Sequence, residues 1–85
     1  MAKMRKTEIE LAVTQNVLRL RLARGLTQDD IAIMLQCSRG FIGQIESLNN
    51  PSTYSLNQLN QIAFELGCSL HDLIPAKPIP AKDWE

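Results

Sequence analysis

The residues best suited to recognition chemistry lie in one short segment, from Ser38 to Glu46. Ile42 and Ile45 are three residues apart, which gives this segment an apolar helical face, and Arg39 and Gln44 fall on the opposite face. In the major groove of DNA, Arg can form two hydrogen bonds to guanine, and Gln can form two to adenine. The segment is therefore typical of a helix that could read double-stranded DNA.

Five short helices are predicted to position this segment. Each prediction rests on an N-cap residue followed by apolar residues at helical spacing, and the first start also has the Thr7–Glu10 capping box. The predicted helices lie between Thr7 and Gly25, between Thr27 and Leu35, from Arg39 to about Ser47, between Ser55 and Gly67, and from Leu70 to Ile74. The two-residue alternation of strands is nearly absent. The sequence thus predicts a compact all-α domain.

The chain is long enough for one domain and not for two, since it has 85 residues. We assign residues 7–75 to this domain and residues 1–6 to a basic N-terminal arm. Residues 76–85 form a Pro-rich tail that contains Trp84 and is expected to be extended, because proline cannot continue a helix.

The formal net charge is zero, which argues against a protein that binds nucleic acid by bulk positive charge alone. The charges are nevertheless uneven, because residues 1–25 contain six basic and two acidic residues. A basic, DNA-facing end is expected if the fold gathers these cations and Arg39 together. The basic residues assigned to that end are Lys3, Arg5, Lys6, Arg19, Arg24 and Arg39.

The second and third predicted helices have the lengths and the short connection of a helix-turn-helix motif. Ala32 is a small residue at the place where the two helices must approach each other closely. Gly40 and Gly43 remove side chains from the reading helix but allow its backbone to approach DNA.

Between Gln15 and Pro75 the sequence resembles the Cro and phage-repressor type of helix-turn-helix domain, the Xre-type regulators. The resemblance rests on an ordered set of short motifs with the spacing of that family. The motifs are VLRLR at 17–21, GLTQDDIA at 25–32, SRGFIGQIE at 38–46, NPS at 50–52 and LGCSLHDL at 66–73. The resemblance implies a lambda-repressor-like fold in which the third helix enters the major groove. That family usually has glycine in the tight turn after the second helix, where Gln36 stands in this sequence, so we expect Gln36 to adopt a left-handed conformation at a cost of about 1 kcal/mol.

The resemblance also implies roles for individual residues. Gln28 looks like the residue that holds a phosphate, and Arg21 and Glu46 look like a structural ion pair. The groove-facing residues would be Ser38, Arg39, Gly40, Gly43 and Gln44. Asn49, Asn50 and Tyr54 look like contacts to the backbone of the second strand, although Tyr54 could equally pack within its loop.

Two classes of function fit these features. The first is a sequence-specific transcription regulator, a repressor that binds a palindromic operator as a homodimer. The second is an antitoxin or another protein-interaction module of the same fold, bound to a toxin or other protein partner, with weak or lost DNA binding. A second apolar stripe on the first helix, formed by Leu11, Leu18 and Leu22, belongs either to a wide core or to a contact between subunits.

Other classes are disfavoured. No apolar run approaches the length of a membrane helix, and no secretion signal follows the basic start, so we expect a cytoplasmic protein without a membrane partner. Cys37 and Cys68 are expected to be reduced, and a catalytic pair with His71 lacks an orienting third group. We therefore expect no enzymatic activity and no metal or cofactor.

Overall fold

The computed structural model describes residues 5–80, and within them the chain forms helices and no strand. The elements are α1 (Glu8–Ala23), α2 (Gln28–Leu35), α3 (Arg39–Glu46), α4 (Leu56–Leu66) and one 3-10 turn (Leu70–Asp72). The all-α prediction is confirmed. The count of five helices is not confirmed, because the last predicted helix is a single 3-10 turn.

Reciprocal side-chain caps fix the starts of the helices. The Thr7 hydroxyl accepts the Glu10 N–H at 3.3 Å, and the Glu10 carboxylate accepts the Thr7 N–H at 2.8 Å, as the capping box predicts. Thr27 with Asp30 and Ser55 with Gln58 repeat this arrangement at α2 and α4. These caps satisfy backbone donors that a helix start leaves unpaired, so the starts were readable from sequence.

The 3-10 turn is shorter than the predicted helix because proline restricts the chain that follows it. Ser69 caps the turn as predicted, but Pro75 disfavours helical geometry at Ile74. The end of the turn is instead held by α1, since the Asn16 side chain donates a hydrogen bond of 2.9 Å to the carbonyl of Leu73. This segment closes one side of the core rather than extending the helical bundle.

The core lies between the helices and is built mainly from branched aliphatic side chains. Its fully buried large members are Val17, Ile31, Ile42, Ile45, Ile62 and Leu73. α2 packs against both α3 and α4, and α1 also contacts α3. The inward side of α3 is therefore fixed by packing, and its other side is left toward solvent.

The turn between α2 and α3 uses a non-glycine residue in left-handed geometry, as expected. Gln36 has φ 56° and ψ 44°, and the next residue, Cys37, donates a backbone hydrogen bond of 3.0 Å to Ala32. Only Gln36, Cys37 and the N-cap Ser38 separate the two helices. This short connection sets the crossing of a helix-turn-helix motif.

Residues 75–80 contain no helix, and Trp84 and Lys3 lie outside the described residues. On α1, Leu11 and Leu18 are half-buried and Leu22 is exposed, so the second stripe is not enclosed by this chain's core.

Within residues 5–80, every helix is too short or too polar to cross a bilayer.

Candidate nucleic-acid interface

The outward face of α3 presents the residues predicted to read DNA. Arg39, Gly40 and Gln44 are exposed and Gly43 is half-buried, while Ile42 and Ile45 on the other side are fully buried. Positions 39 and 43, and 40 and 44, are each four residues apart and therefore neighbours on the helix surface. The structure thus brings these four predicted residues together on one face.

Ser38 starts this helix and stands at the edge of the same face. Its hydroxyl accepts the Phe41 N–H at 3.1 Å, and the side chain is exposed. A hydroxyl that accepts one bond keeps its own hydrogen as a donor, so Ser38 can cap the helix and still donate a hydrogen bond outward. Phe41 is half-buried and packs against the core, which leaves the outward positions to the polar residues and glycines.

Arg21 and Glu46 form a two-pronged ion pair between α1 and the last residue of α3. Arg21 Nε donates to Glu46 Oε2 at 2.8 Å and Arg21 Nη2 donates to Glu46 Oε1 at 2.9 Å. Arg21 Nη1 also donates to the carbonyl of Leu26 at 2.8 Å. Both side chains are about nine-tenths buried, so the pair is well shielded from water. One guanidinium therefore connects α1, α3 and the segment before α2.

Gln28 joins the same network from the first turn of α2. Its Nε2 donates to Glu46 Oε1 at 2.9 Å, and its side chain is half-buried. An amide nitrogen has two hydrogens, so one donor remains for a phosphate. A Cβ atom at Gly43 would lie 3.7 Å from Gln28 Oε1, so Gln28 lies beside the α3 backbone. The predicted phosphate residue is thus held next to the reading helix.

The loop after α3 is a tight turn. The Asn50 N–H donates to the carbonyl of Ser47 at 3.3 Å, and Asn50 Oδ1 accepts the Ser52 N–H at 2.9 Å. Asn49 is exposed and Asn50 is half-buried. Asn49 is therefore free to face a ligand, whereas the carbonyl oxygen of the Asn50 side chain already holds the loop.

Tyr54 does not meet the expectation of a contact to the DNA backbone. It is 6 % exposed, belongs to the core, and its hydroxyl is buried without a hydrogen-bond partner in the described structure. Burial raises the pKa of Tyr54 well above its usual value, and the nearby Glu46 carboxylate adds to this effect while Arg21 opposes it. Of the two interpretations left open by the sequence, the structure favours packing, because the hydroxyl cannot reach a phosphate.

The predicted basic end is only partly available. Lys6 is buried, and its Nζ donates to the carbonyls of Ser47 and Asn50. Desolvation lowers the pKa of Lys6, and the Glu10 carboxylate opposes that shift. Arg24 Nη1 donates to the carbonyl of Leu66 at 2.8 Å, at the end of α4. The assignment of Lys6 to a DNA-facing surface is therefore wrong, because its ammonium already has partners inside the domain.

The sequence alone does not predict the role of Lys6 as a buried donor to the loop after α3. A lysine beside a helix start in a basic segment has the same local sequence whether it points to solvent or to a distant loop. Its partners are more than forty residues away along the chain. Only the contact of Lys6 with the loop after α3 reveals its position.

Comparison with known protein families finds a match over most of the chain. A family model described as a Cro/C1-type HTH DNA-binding domain matches residues 16–78. This range contains the Arg21–Glu46 pair, Gln28 and the whole of α3. No match was found among the curated proteins or among the solved structures.

Proposed function

Because the chain belongs to the Cro/C1-type helix-turn-helix DNA-binding family, we propose that it is a sequence-specific transcription regulator that places α3 in the DNA major groove. The observation that carries this proposal is the shared network of Arg21, Gln28 and Glu46. It holds a phosphate-binding amide and the end of α3 in one fixed arrangement. Preorganised contacts of this kind reduce the ordering cost of binding.

The proposed side-chain contacts are of two kinds, those to the DNA backbone and those to base edges. Gln28 donates its remaining N–H to a phosphate, and Asn49 and Asn50 lie beside the backbone of the second strand. Arg39 and Gln44 read base edges, and Ser38 donates a hydrogen bond at the edge of the groove.

Gly40 and Gly43 let the α3 backbone approach closely, so shape and backbone contacts contribute part of the specificity.

We further propose that the protein acts as a homodimeric repressor on a palindromic operator. A helix of eight residues can read only a few base pairs. Two copies related by a two-fold axis would place their reading helices about 34 Å apart, one turn of the duplex. Pairing therefore supplies both the affinity and the site length that one copy lacks.

The outward surface of α4 is the best candidate for the contact between the two copies. Phe64 is 79 % exposed and Leu56 is also strongly exposed, which is unusual for large apolar side chains. Among the exposed residues of α4, only Glu65 is charged. A two-fold contact sets each patch against its own copy, so a nearly uncharged apolar surface avoids like-charge repulsion. The exposed residues of α1 include Glu8 and Arg19 and suit such a contact less well.

Selection of bound sites from a random DNA pool tests the proposed function. We expect enrichment of a two-fold symmetric sequence whose half-sites are one helical turn apart. The matched control is the double variant Arg39→Ala/Gln44→Ala, which removes the proposed base contacts from exposed positions and should abolish the enrichment. A pool that stays random with the wild-type protein would contradict sequence-specific binding.

A protein-interaction module, such as an antitoxin, is the second candidate. Its support is the zero net charge together with Gly40 and Gly43, which leave few side chains on the reading face. The same selection distinguishes the two candidates. An unenriched pool, together with copurification of a defined partner that is lost on mutation of the α4 surface, would favour the interaction module.

A further inference from the structure

We propose that Lys6 is a positioning residue that fixes the loop after α3 for contact with the DNA backbone. This inference rests on the proposed DNA-binding function. It assigns to Lys6 a role inside the domain, in place of a direct phosphate contact by the basic arm. The loop in question comprises residues 47–50.

The geometry of the contact is specific. Lys6 Nζ donates hydrogen bonds of 2.6 Å to the carbonyl oxygens of Ser47 and of Asn50, and Lys6 is only 5 % exposed. The Ser47 carbonyl also accepts the Asn50 N–H, which closes the turn from within. The ammonium therefore bridges the two ends of this turn and uses two of its three hydrogens for contacts inside the domain.

The way α3 ends explains why a cation is needed there. The other three α-helices of the described chain are each followed within two residues by a left-handed residue, namely Gly25, Gln36 or Gly67. Ser47, which ends α3, is extended with φ −76° and ψ 129°. Its carbonyl lies at the negative end of the helix dipole, where a cation is favoured. Lys6 therefore adds a charged donor at a helix end that no left-handed residue closes.

The consequence falls on the two residues at the tip of the turn. Leu48 and Asn49 lie between the two carbonyls that Lys6 holds, and both are exposed. With both ends of the turn fixed, these residues point away from the domain beside α3. A loop held in this way loses less conformational freedom on binding a DNA strand.

The test is the variant Lys6→Met, with Lys77→Met as a matched loss of one lysine charge at an exposed position. Affinity for the selected duplex is measured at several salt concentrations, at a temperature where circular dichroism shows both variants folded. We expect Lys6→Met to lose about tenfold in affinity, because the loop must then be ordered when DNA binds. We expect the salt slope to stay unchanged, and Lys6→Arg to recover most of the affinity.

Two results would overturn the proposal. Unchanged affinity of folded Lys6→Met would mean that Lys6 serves stability alone. A salt slope shallower by about 1 would mean that Lys6 contacts a phosphate directly. Should Lys6→Met not fold, the same comparison is made with Lys6→Gln, which keeps one donor.

A readout without DNA separates this proposal from the proposed function. Amide resonances and hydrogen exchange of residues 47–50 should change in Lys6→Met, while those of α2 stay as in the wild type. If the wild-type protein binds no DNA but these changes occur, Lys6 still positions the loop and the proposed function alone fails. Unchanged loop resonances would overturn the positioning role itself.

Discussion

Gln28 and Glu46 are joined by a hydrogen bond of 2.9 Å that connects the first turn of α2 to the last residue of α3. The same carboxylate oxygen accepts a bond from Arg21 of α1. One buried carboxylate therefore sets the position of the proposed phosphate contact relative to the proposed reading helix. The arrangement is built before any DNA is present.

Replacing Gln28 by Ala should weaken DNA binding about tenfold and uniformly across sequences. The reason is the loss of one hydrogen bond to a charged phosphate, worth about 1.5 kcal/mol. Fluorescence anisotropy with the selected duplex and with a single-base variant measures both effects. Gln15→Ala is the matched control, since Gln15 is an exposed glutamine of α1. Equal losses in the two variants would argue against a specific role for Gln28.

Replacing Arg21 by Met should destabilise the fold by about 3–5 kcal/mol, because it leaves the Glu46 carboxylate buried without its cation. The double variant Arg21→Met/Glu46→Leu should recover most of this loss, since an apolar pair can replace a buried ion pair. DNA affinity should not recover, because Gln28 then has no partner on α3. Urea unfolding and anisotropy test the two parts separately. Recovery of both quantities would contradict a positioning role for the ion pair.

The glycines of α3 should favour binding at the expense of stability. Gly40→Ala and Gly43→Ala should each raise the free energy of unfolding by about 0.5–1 kcal/mol, because Ala favours a helix over Gly. The structure has room for both, since each new Cβ would lie 3.7 Å or more from its nearest neighbour. DNA affinity should fall if the α3 backbone approaches the groove closely. Stabilised variants that bind as tightly as the wild type would exclude that close approach.

The starts of the helices and the face of α3 were predictable, because both depend on residues close together in sequence. Thr7 with Glu10, Thr27 and Ser55 signal caps within one turn, and Ile42 with Ile45 fixes which side of α3 is inward. The 3-10 turn was missed because its cap resembles that of a full helix. The restriction from Pro75 was stronger than the helical pattern before it.

Replacing Tyr54 by Phe should leave DNA affinity unchanged and should not lower stability. The hydroxyl is buried without a partner, so its removal relieves a desolvation cost of about 1 kcal/mol or more. Thermal unfolding and anisotropy at neutral pH measure both quantities. A clear loss of affinity in the folded variant would restore the alternative that Tyr54 contacts the DNA backbone.

Replacing Phe64 by Glu should convert the proposed dimer to a monomer, because two carboxylates would then meet across the two-fold axis. Light scattering after size-exclusion chromatography measures the mass. Leu22→Glu, at the exposed end of the α1 stripe, is the control and should leave the dimer intact. A dimeric Phe64→Glu variant together with a monomeric Leu22→Glu variant would instead place the subunit contact on α1.

The positions of Lys6, Gln28 and Tyr54 could not be read from sequence, because each depends on contacts between distant segments. Lys6 reaches a loop from the N-terminus, and Gln28 bonds a carboxylate on another helix. Tyr54 lies in a loop whose composition is compatible with exposure, yet it is enclosed by the core. The placement of the charges was similarly not readable from the net charge of zero, since the Lys6 and Arg21 cations are held inside the domain.

According to the proposed function, α2 and α3 form a sequence-specific DNA-binding unit. Its most direct test is titration of the purified protein onto the selected palindromic duplex and onto a scrambled duplex of equal composition, at several salt concentrations. We predict at least 1000-fold tighter binding to the palindrome, within the roughly 10³- to 10⁷-fold range of specific complexes. We also predict affinity that falls with salt on a shallow slope, because Lys6 and Arg21 are already held by partners inside the domain. Equal affinity for both duplexes, or affinity independent of salt, would contradict sequence-specific DNA binding.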